Sequence, residues 1–180
     1  MVSMKREGKD KVELKDSHFN GYEYKGYRVK TKLVIDGQKE YRPLRLSCSA
    51  EVYKAFKNLH ESDKERFYAV HLDSKNKVLG VDMVSQGTME SSLVHPREVY
   101  KPAILNSAVS VIFVHSHPSG DPEPSVADKE LTKTLEMAGE IMGIEVLDHV
   151  IIGRDEYYSF ADKGELWVKN QKKLMKSGSK

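Results

Sequence analysis

Two histidines separated by one residue, His115 and His117, precede an aspartate, Asp128, by a short segment. Alternate residues of a strand point to the same side, so the two imidazoles could share one metal ion. A carboxylate in the first turn of a following helix could complete a His, His, Asp set. Three protein ligands leave the fourth position of a tetrahedral Zn²⁺ open to exchangeable water, which is typical of a catalytic zinc. These residues indicate a hydrolytic centre with one Zn²⁺ per chain.

Each part of this pattern also has an ordinary structural explanation. Ser125-x-x-Asp128 resembles a helix capping box, in which the serine oxygen and the acidic side chain satisfy free N–H groups. A His-x-His pair can arise by chance among 7 histidines, and His115 could simply hydrogen-bond at the end of a strand. Taken alone, the capping box is the more ordinary interpretation. The prediction of a metal site depends on the combination.

The elements around these residues are predicted to hold them rigidly. Residues 109–114 form a continuous apolar run, which is typical of a strand buried on both faces, and it ends at His115. After a proline-rich turn, Ser125 begins a helix with apolar residues at four-residue spacing until Gly143 can end it. The histidines then lie at the end of a strand, and Asp128 lies in the first turn of the next helix.

The rest of the pattern predicts an α+β domain of three layers, α/β/α-like, with a central mixed and mostly antiparallel sheet flanked by helices. Before the metal-binding residues, we predict a helix capped by Ser47 or Ser49 and ending near Leu59, and then a hairpin of residues 66–72 and 78–85. A second helix is predicted from Pro96, with a kink or restart near Tyr100 caused by Pro102. After the metal-binding residues, we predict a strand over residues 144–152, a short strand over residues 157–160, and a helical turn at Leu166 and Trp167.

Composition and charge limit the classes of protein. The 180 residues have a net charge of +2, with 39% hydrophobic and 31% charged residues, as expected of one globular domain with short extensions. Cys48 is the single cysteine, which excludes an internal disulfide and a site built from several thiolates. No apolar run reaches the roughly 20 residues that a membrane span requires, and no signal peptide is evident. We therefore expect a cytoplasmic protein without a membrane partner.

Four segments are predicted along the chain. Residues 1–18 are expected to be a disordered extension, and residues 19–46 a β-hairpin that turns at Asp36-Gly37. Residues 47–168 are expected to form the main domain. Residues 169–180 are rich in lysine and are expected to be a basic, disordered tail.

The residues also carry a family resemblance. Glu65, H-S-H-P at residues 115–118, Ser125 and Asp128 match the E…H-S-H-P-x(6)-S-x-x-D signature of the JAMM, or MPN-plus, metallopeptidases. The segments SSLVHPREVYKPAIL, HSHPSGDPEPSVADKELT and GIEVLDHVIIG further resemble the RadC-like bacterial branch, over residues 27–160. RadC-like chains more often have Asn between the histidines, where this chain has Ser116, but that residue is not a ligand.

The resemblance implies a cytidine-deaminase-like fold and a zinc ion held by His115, His117 and Asp128. It further implies Glu65 as the general acid/base toward the attacking water and Ser125 as a donor to the oxyanion.

Two parts of the pattern depend on the resemblance most strongly. Spacing in the sequence does not by itself favour Glu65 over Glu61, Glu90 or Glu98 as the general acid/base. Asp148-His149 resembles an Asp-His pair of the family, and we expect a buried, hydrogen-bonded structural role for it.

Three hypotheses of function follow. The first is a zinc metallopeptidase or isopeptidase that acts on a peptide or protein. The second is a DNA-repair-associated binding module without turnover, which the balanced charge and the lack of a basic patch support only weakly. The third, a zinc deaminase, is disfavoured because Cys48 alone cannot supply the cysteine ligands of such a site.

Overall fold

The computed structural model describes residues 44–87 and 94–177. All of them fall in the second of the two compact units into which the chain divides, Gln38–Lys180. The predicted N-terminal extension, nearly all of the predicted hairpin over residues 19–46, and Glu90 lie outside the described residues.

A five-stranded sheet forms the centre of this unit, with the order β2-β1-β3-β4-β5. β1 and β2 form an antiparallel hairpin, β1 also pairs antiparallel with β3, β3 and β4 are parallel, and β4 and β5 are antiparallel. The mixed, mostly antiparallel sheet of an α+β domain is confirmed. The strands are β1 (Glu65–Leu72), β2 (Val78–Gly87), β3 (Ser110–Ser116), β4 (Glu145–Ile152) and β5 (Tyr157–Ser159).

Helices cover both faces of the sheet. On one face, α2 and α3 pack against a core that includes Phe67, Val111 and Phe113, and on the other, α1 packs against Val70 and Ile112. The predicted three layers are therefore present. The helices are α1 (Ser49–Phe56), which continues into a 3-10 turn (Lys57–Glu61), α2 (Pro96–Leu105), α3 (Val126–Met142) and α4 (Trp167–Ser177).

β3 is buried along its whole length, because it lies between β1 and β4 and under helices on both faces. Its side chains alternate as the sequence predicts: Val111 and Phe113 join the core under α2 and α3, whereas Ile112 and Val114 join the core under α1. The same alternation places His115 on the α3 side of the sheet. β3 thus places the His115 imidazole on the face of the sheet that α3 covers.

The predicted cap of α1 is wrong. Cys48 occupies the N-cap position without a side-chain hydrogen bond, and the carboxylate of Glu51 accepts from the backbone N–H of Ser47 at 2.6 Å. The hydroxyl of Ser49 instead donates to the Asp162 carboxylate, far along the chain. A tertiary partner therefore replaces the local capping bond that the sequence suggested.

α2 runs through Pro102 as one helix, so of the predicted kink or restart near Tyr100 the restart is wrong. Pro102 has no N–H group, so the backbone carbonyl of Glu98 lacks its usual helical hydrogen bond. Glu98 is exposed, and water can hydrate this carbonyl. On this helix Ala103 is buried against the sheet side, whereas Ile104 is 55% exposed.

The sequence predicts a disordered tail from residue 169 onward, but α4 continues to Ser177, and residues 178–180 lie outside the described residues. The carboxylate of Glu136 on α3 accepts from the backbone N–H groups of Trp167 and Val168 at 2.9 and 3.3 Å, which caps the start of α4. Lys172 pairs with Glu140 at 2.6 Å. Contacts with α3 therefore order a segment whose composition alone suggested a frayed end.

No helix in the described ranges is long and apolar enough to cross a membrane.

Candidate metal centre

His115 and His117 come together at the end of β3. Their ring centroids are 4.8 Å apart and the rings are nearly perpendicular, at 89°. The backbone N–H of His117 donates to Ile152 at 3.1 Å, so the residue is still tied to β4 beyond the end of the strand. His117 Nδ1 lies 2.8 Å from the carbonyl oxygen of Asp121, which can only accept. Nδ1 therefore carries the proton, and the lone pair of Nε2 is free for another partner.

The N-terminus of α3 presents Asp128 to these histidines. Ser125 is the N-cap residue, and both halves of the capping box are present: Ser125 Oγ accepts from the Asp128 N–H, and Asp128 Oδ2 accepts from the Ser125 N–H at 2.8 Å. The same carboxylate lies 3.1 Å from His115 Nδ1 and 3.6 Å from His117 Nε2. The capping box and the metal set are thus not alternatives, because the capping bonds aim the carboxylate at the histidines.

The donor atoms of this cluster fit a metal ion. One ligand atom from each of His115, His117 and Asp128 lies within 4.8 Å of the others. His115 Nδ1 and Asp128 Oδ1 are buried and close, yet neither makes a hydrogen bond of acceptable geometry. Buried polar atoms without a partner are costly, and a shared cation would satisfy both. The cluster can therefore bind a metal ion, and its nitrogen and oxygen donors suit zinc.

Glu65, the first residue of β1, completes the surroundings of His115. Its Oε2 lies 3.8 Å from His115 Nε2, is buried, and has no hydrogen-bond partner. Of the other candidates within residues 44–87 and 94–177, Glu61 is exposed on the 3-10 turn, and Glu98 is exposed beside Arg97. Among the described candidates, the fold brings only Glu65 to the histidines, a choice that spacing in the sequence left open.

The charges of the cluster favour a cation. Burial raises the pKa of Asp128, but the close contacts with His115 and His117 and the hydrogen bond from Ser125 outweigh it and hold the pKa of this carboxyl well below its usual range. Burial lowers the pKa of His115, yet the carboxylates of Asp128 and Glu65 more than offset it and raise the pKa overall. A buried carboxylate that stays ionised is a strong ligand for a divalent ion.

A cleft of about 360 Å³ opens beside this cluster. The open end of the β1–β2 hairpin, at Glu65 and Gly87, lies on one side of the cleft, and the loop from His117 to α3 lies on the other. Charged lining residues are mostly acidic, with Lys64 as the basic exception. Its lining residues are Asp63, Lys64, Glu65, Gly87, His117, Pro118, Ser119, Ser125 and Asp128.

Ser125 lines the cleft, but its hydroxyl proton is already in use. Ser125 Oγ donates to Asp128 Oδ2 at 2.6 Å. A role as oxyanion donor requires this hydroxyl to rotate away from the carboxylate, and that role stays a prediction.

Asp148 and His149 are buried and hydrogen-bonded, as the sequence suggested, but their side chains bond different partners. The Asp148 carboxylate accepts from Ser159 Oγ at 2.6 Å and from the Ala161 N–H at 2.9 Å. His149 Nδ1 lies 2.7 Å from Thr132 Oγ1 on α3. Thr132 was missed by sequence reasoning, although it lies one helical turn after Asp128 and hence on the same face of α3.

Acid should destabilise the folded chain in part through His149. Complete burial lowers the pKa of this imidazole to about 3 from its ordinary 6.5. The unfolded chain therefore takes up this proton first as the pH falls, so the stability is present above pH 6.5 and is lost toward the folded pKa. In His149→Phe, the free energy of unfolding should fall by about 1.4 kcal/mol less per pH unit than in the wild type, between about pH 6 and 4. Urea unfolding at several pH values measures this, and equal slopes for both proteins would contradict it.

Comparisons with known proteins agree on one family. A family model described as a RadC-like JAB domain matches residues 46–165. A UPF0758 protein of Trichlorobacter lovleyi is 49% identical over 123 residues, which are 68% of this chain and 54% of that protein. A UPF0758 protein of Methanosarcina acetivorans is 47% identical over 124 residues, with the same 68% and 54% coverage. One of Symbiobacterium thermophilum is 53% identical over 102 residues, 57% of this chain and 44% of that protein. The chain spans about half the length of the curated relatives it matches.

Proposed function

Because the chain belongs to the RadC-like JAB domain family, we propose that it is a zinc-dependent metallopeptidase or isopeptidase, which hydrolyses an amide bond in a peptide or protein. The observation that carries this proposal is the cluster of His115, His117 and Asp128 beside Glu65 at an open cleft, in which buried atoms of His115 and Asp128 have no hydrogen-bond partner. Bound at these three residues, zinc would supply a water of lowered pKa and would polarise the substrate carbonyl.

Glu65 is the residue placed to move the proton. Its Oε2 has no hydrogen-bond partner, and the residue lines the cleft, so the carboxylate can take a proton from the attacking water. The hydroxide oxygen bonds to the carbonyl carbon, the C–N bond breaks, and Glu65 returns the proton to the leaving nitrogen. The products are a carboxylic acid and an amine, which at neutral pH are present as carboxylate and ammonium. Ser125 would donate its hydroxyl proton to the developing oxyanion after turning from Asp128.

The cleft charges support an amide substrate rather than a nucleic acid. Among the described residues that line the cleft, Asp63, Glu65 and Asp128 are acidic and Lys64 is basic, beside the imidazole of His117. With zinc bound, the ion and Lys64 would balance the three carboxylates, so the cleft has no excess positive charge to bind a phosphate backbone and can accommodate a neutral peptide or isopeptide bond. The DNA-binding alternative has no supporting observation in the described part of the chain.

The proposal is tested on the purified chain after chelation and reconstitution with zinc. We expect about one zinc per chain by elemental analysis, and zinc-dependent release of free amine from a library of peptides and lysine-linked isopeptides. Chelation should abolish the release, and His60→Ala, which removes a histidine outside the cluster, should keep both zinc and activity. A folded chain that binds no zinc would contradict the metal centre, and a zinc-loaded chain that cleaves no amide would contradict the peptidase.

A further inference from the structure

We propose that Thr132 and His149 are positioning residues that fix the distance between Asp128 on α3 and the two histidines on the sheet. This inference rests on the metal centre proposed above and assigns it a support that neither the signature nor the ligand set contains. The three ligands come from two separate elements, because His115 and His117 extend from β3 while Asp128 belongs to α3. Some contact must hold these two elements in register at the site.

A hydrogen bond between Thr132 on α3 and His149 on β4 supplies that contact. Thr132 Oγ1 lies 2.6 Å from the carbonyl oxygen of Asp128 and 2.7 Å from His149 Nδ1. The carbonyl can only accept, so the hydroxyl of Thr132 donates its single hydrogen bond to the backbone carbonyl of Asp128. Thr132 must then accept from His149, which makes His149 the tautomer that carries its proton on Nδ1. Two consecutive hydrogen bonds, from His149 to Thr132 and from Thr132 to the carbonyl of Asp128, therefore connect the sheet to the backbone of the metal-binding residue.

His149 is itself held in one orientation. Its ring stacks on Phe160 with centroids 5.0 Å apart and an angle of 5°, and the edges of Phe67 and Phe113 enclose it. The residue has no exposed surface. β4 pairs with β3, and His149 lies opposite Phe113 in that register, two residues before His115. The ring is therefore rigidly attached to the strand that carries the first histidine.

A Thr side chain that bonds the carbonyl one turn earlier is common in helices and has no consequence by itself. The bond from His149 is what distinguishes this threonine, because it joins the first turn of α3 to the sheet across the core. Without it, the capping box would still shape the helix end, but among the described residues the Asp128 carboxylate itself would be the remaining polar contact between that end and the histidines. Metal affinity depends on this kind of orienting contact, and its loss commonly costs ten- to a hundredfold in affinity.

The test compares zinc affinity with stability in Thr132→Val and Thr132→Ser. Valine keeps the volume and removes both hydrogen bonds, so we expect zinc affinity to fall by about ten- to a hundredfold. Serine keeps the hydroxyl and should restore affinity to within about threefold of the wild type. Affinity is measured by competition with a zinc chelator, and stability by urea unfolding of the zinc-free protein.

Tyr100→Phe is the matched control. Tyr100 OH donates to the carbonyl of Leu135, also on α3, at 2.7 Å, and is likewise buried. This variant loses the same type of bond to the same helix, but away from Asp128. It should lose stability comparable to that lost by Thr132→Val while keeping wild-type zinc affinity.

A pair of substitutions at His149 separates the bond from the packing. His149→Asn keeps a donor near the position of Nδ1 and loses the stacked ring, whereas His149→Phe keeps the ring and loses the donor. We expect the phenylalanine variant to bind zinc more weakly than the asparagine variant, whichever of the two is more stable. Hydrogen exchange of the zinc-free protein should show faster exchange at the start of α3 in His149→Phe.

The outcomes distinguish this inference from the proposed function. A wild-type chain that binds zinc, together with Thr132→Val that binds it equally well, would overturn the positioning role and leave the metal centre intact. Equal losses of zinc affinity in Thr132→Val and Tyr100→Phe would also overturn it, because helix stability would then explain the effect. A wild-type chain that binds no zinc would overturn both.

Discussion

Glu65→Gln is expected to lower kcat by about 10²–10⁴ while zinc binding stays within about twofold of the wild type. Glutamine keeps the size of the side chain and its position at the start of β1, but it cannot take the proton of the attacking water. Glu65 lies 3.8 Å from His115 Nε2 and is not one of the three clustered ligand residues, so its neutral analogue should leave the ion in place. Amide hydrolysis and zinc content are measured on the same preparation.

Glu61→Gln is the matched control for this prediction. Glu61 is an exposed glutamate on the 3-10 turn just before β1, and it does not line the cleft. This variant should keep the activity of the wild type. If Glu65→Gln retained full turnover, Glu65 would have no part in proton transfer, and if it lost zinc, its role would be that of a ligand.

Asp128→Asn should abolish the stabilisation of the fold by zinc. At free zinc about 100-fold above the dissociation constant, the wild type should gain about 2.7 kcal/mol in its free energy of unfolding. The variant should gain almost nothing, because it lacks the anionic ligand that faces both histidines at 3.1 and 3.6 Å. Without zinc, the variant should also be less stable than the wild type at neutral pH, because it loses the ionised carboxylate that His115, His117 and Ser125 favour, so the gain from zinc is compared within each protein. Urea unfolding with and without zinc measures both values.

Ser125→Ala separates the capping role from the metal role. Loss of this N-cap hydroxyl should cost about 1 kcal/mol with or without zinc, while the gain on adding zinc is kept. Zinc should therefore stabilise Ser125→Ala but not Asp128→Asn. A zinc-dependent gain that survives in Asp128→Asn would reduce the Ser125-x-x-Asp128 pattern to a helix cap.

Much of the fold could be predicted from local pattern. The run at residues 109–114, the cap at Ser125 and the left-handed Gly143, with φ of 70°, define β3 and α3 because burial and capping act over a few residues. α4 could not be predicted in the same way. Its lysines suggested a solvated end, and its order depends on the carboxylates of Glu136 and Glu140, which are distant in the chain.

The sequence by itself determined the metal-binding candidates, because a strand repeats every two residues and a helix begins at its cap. These two periodicities place His115, His117 and Asp128 relative to their own elements before any tertiary contact is known. Only the tertiary structure decided which glutamate faces the site and what ties α3 to the sheet. Glu65 and His149 reach the cluster through strand pairing and packing across the core, and the register of such contacts is set by the whole assembled fold rather than by local spacing.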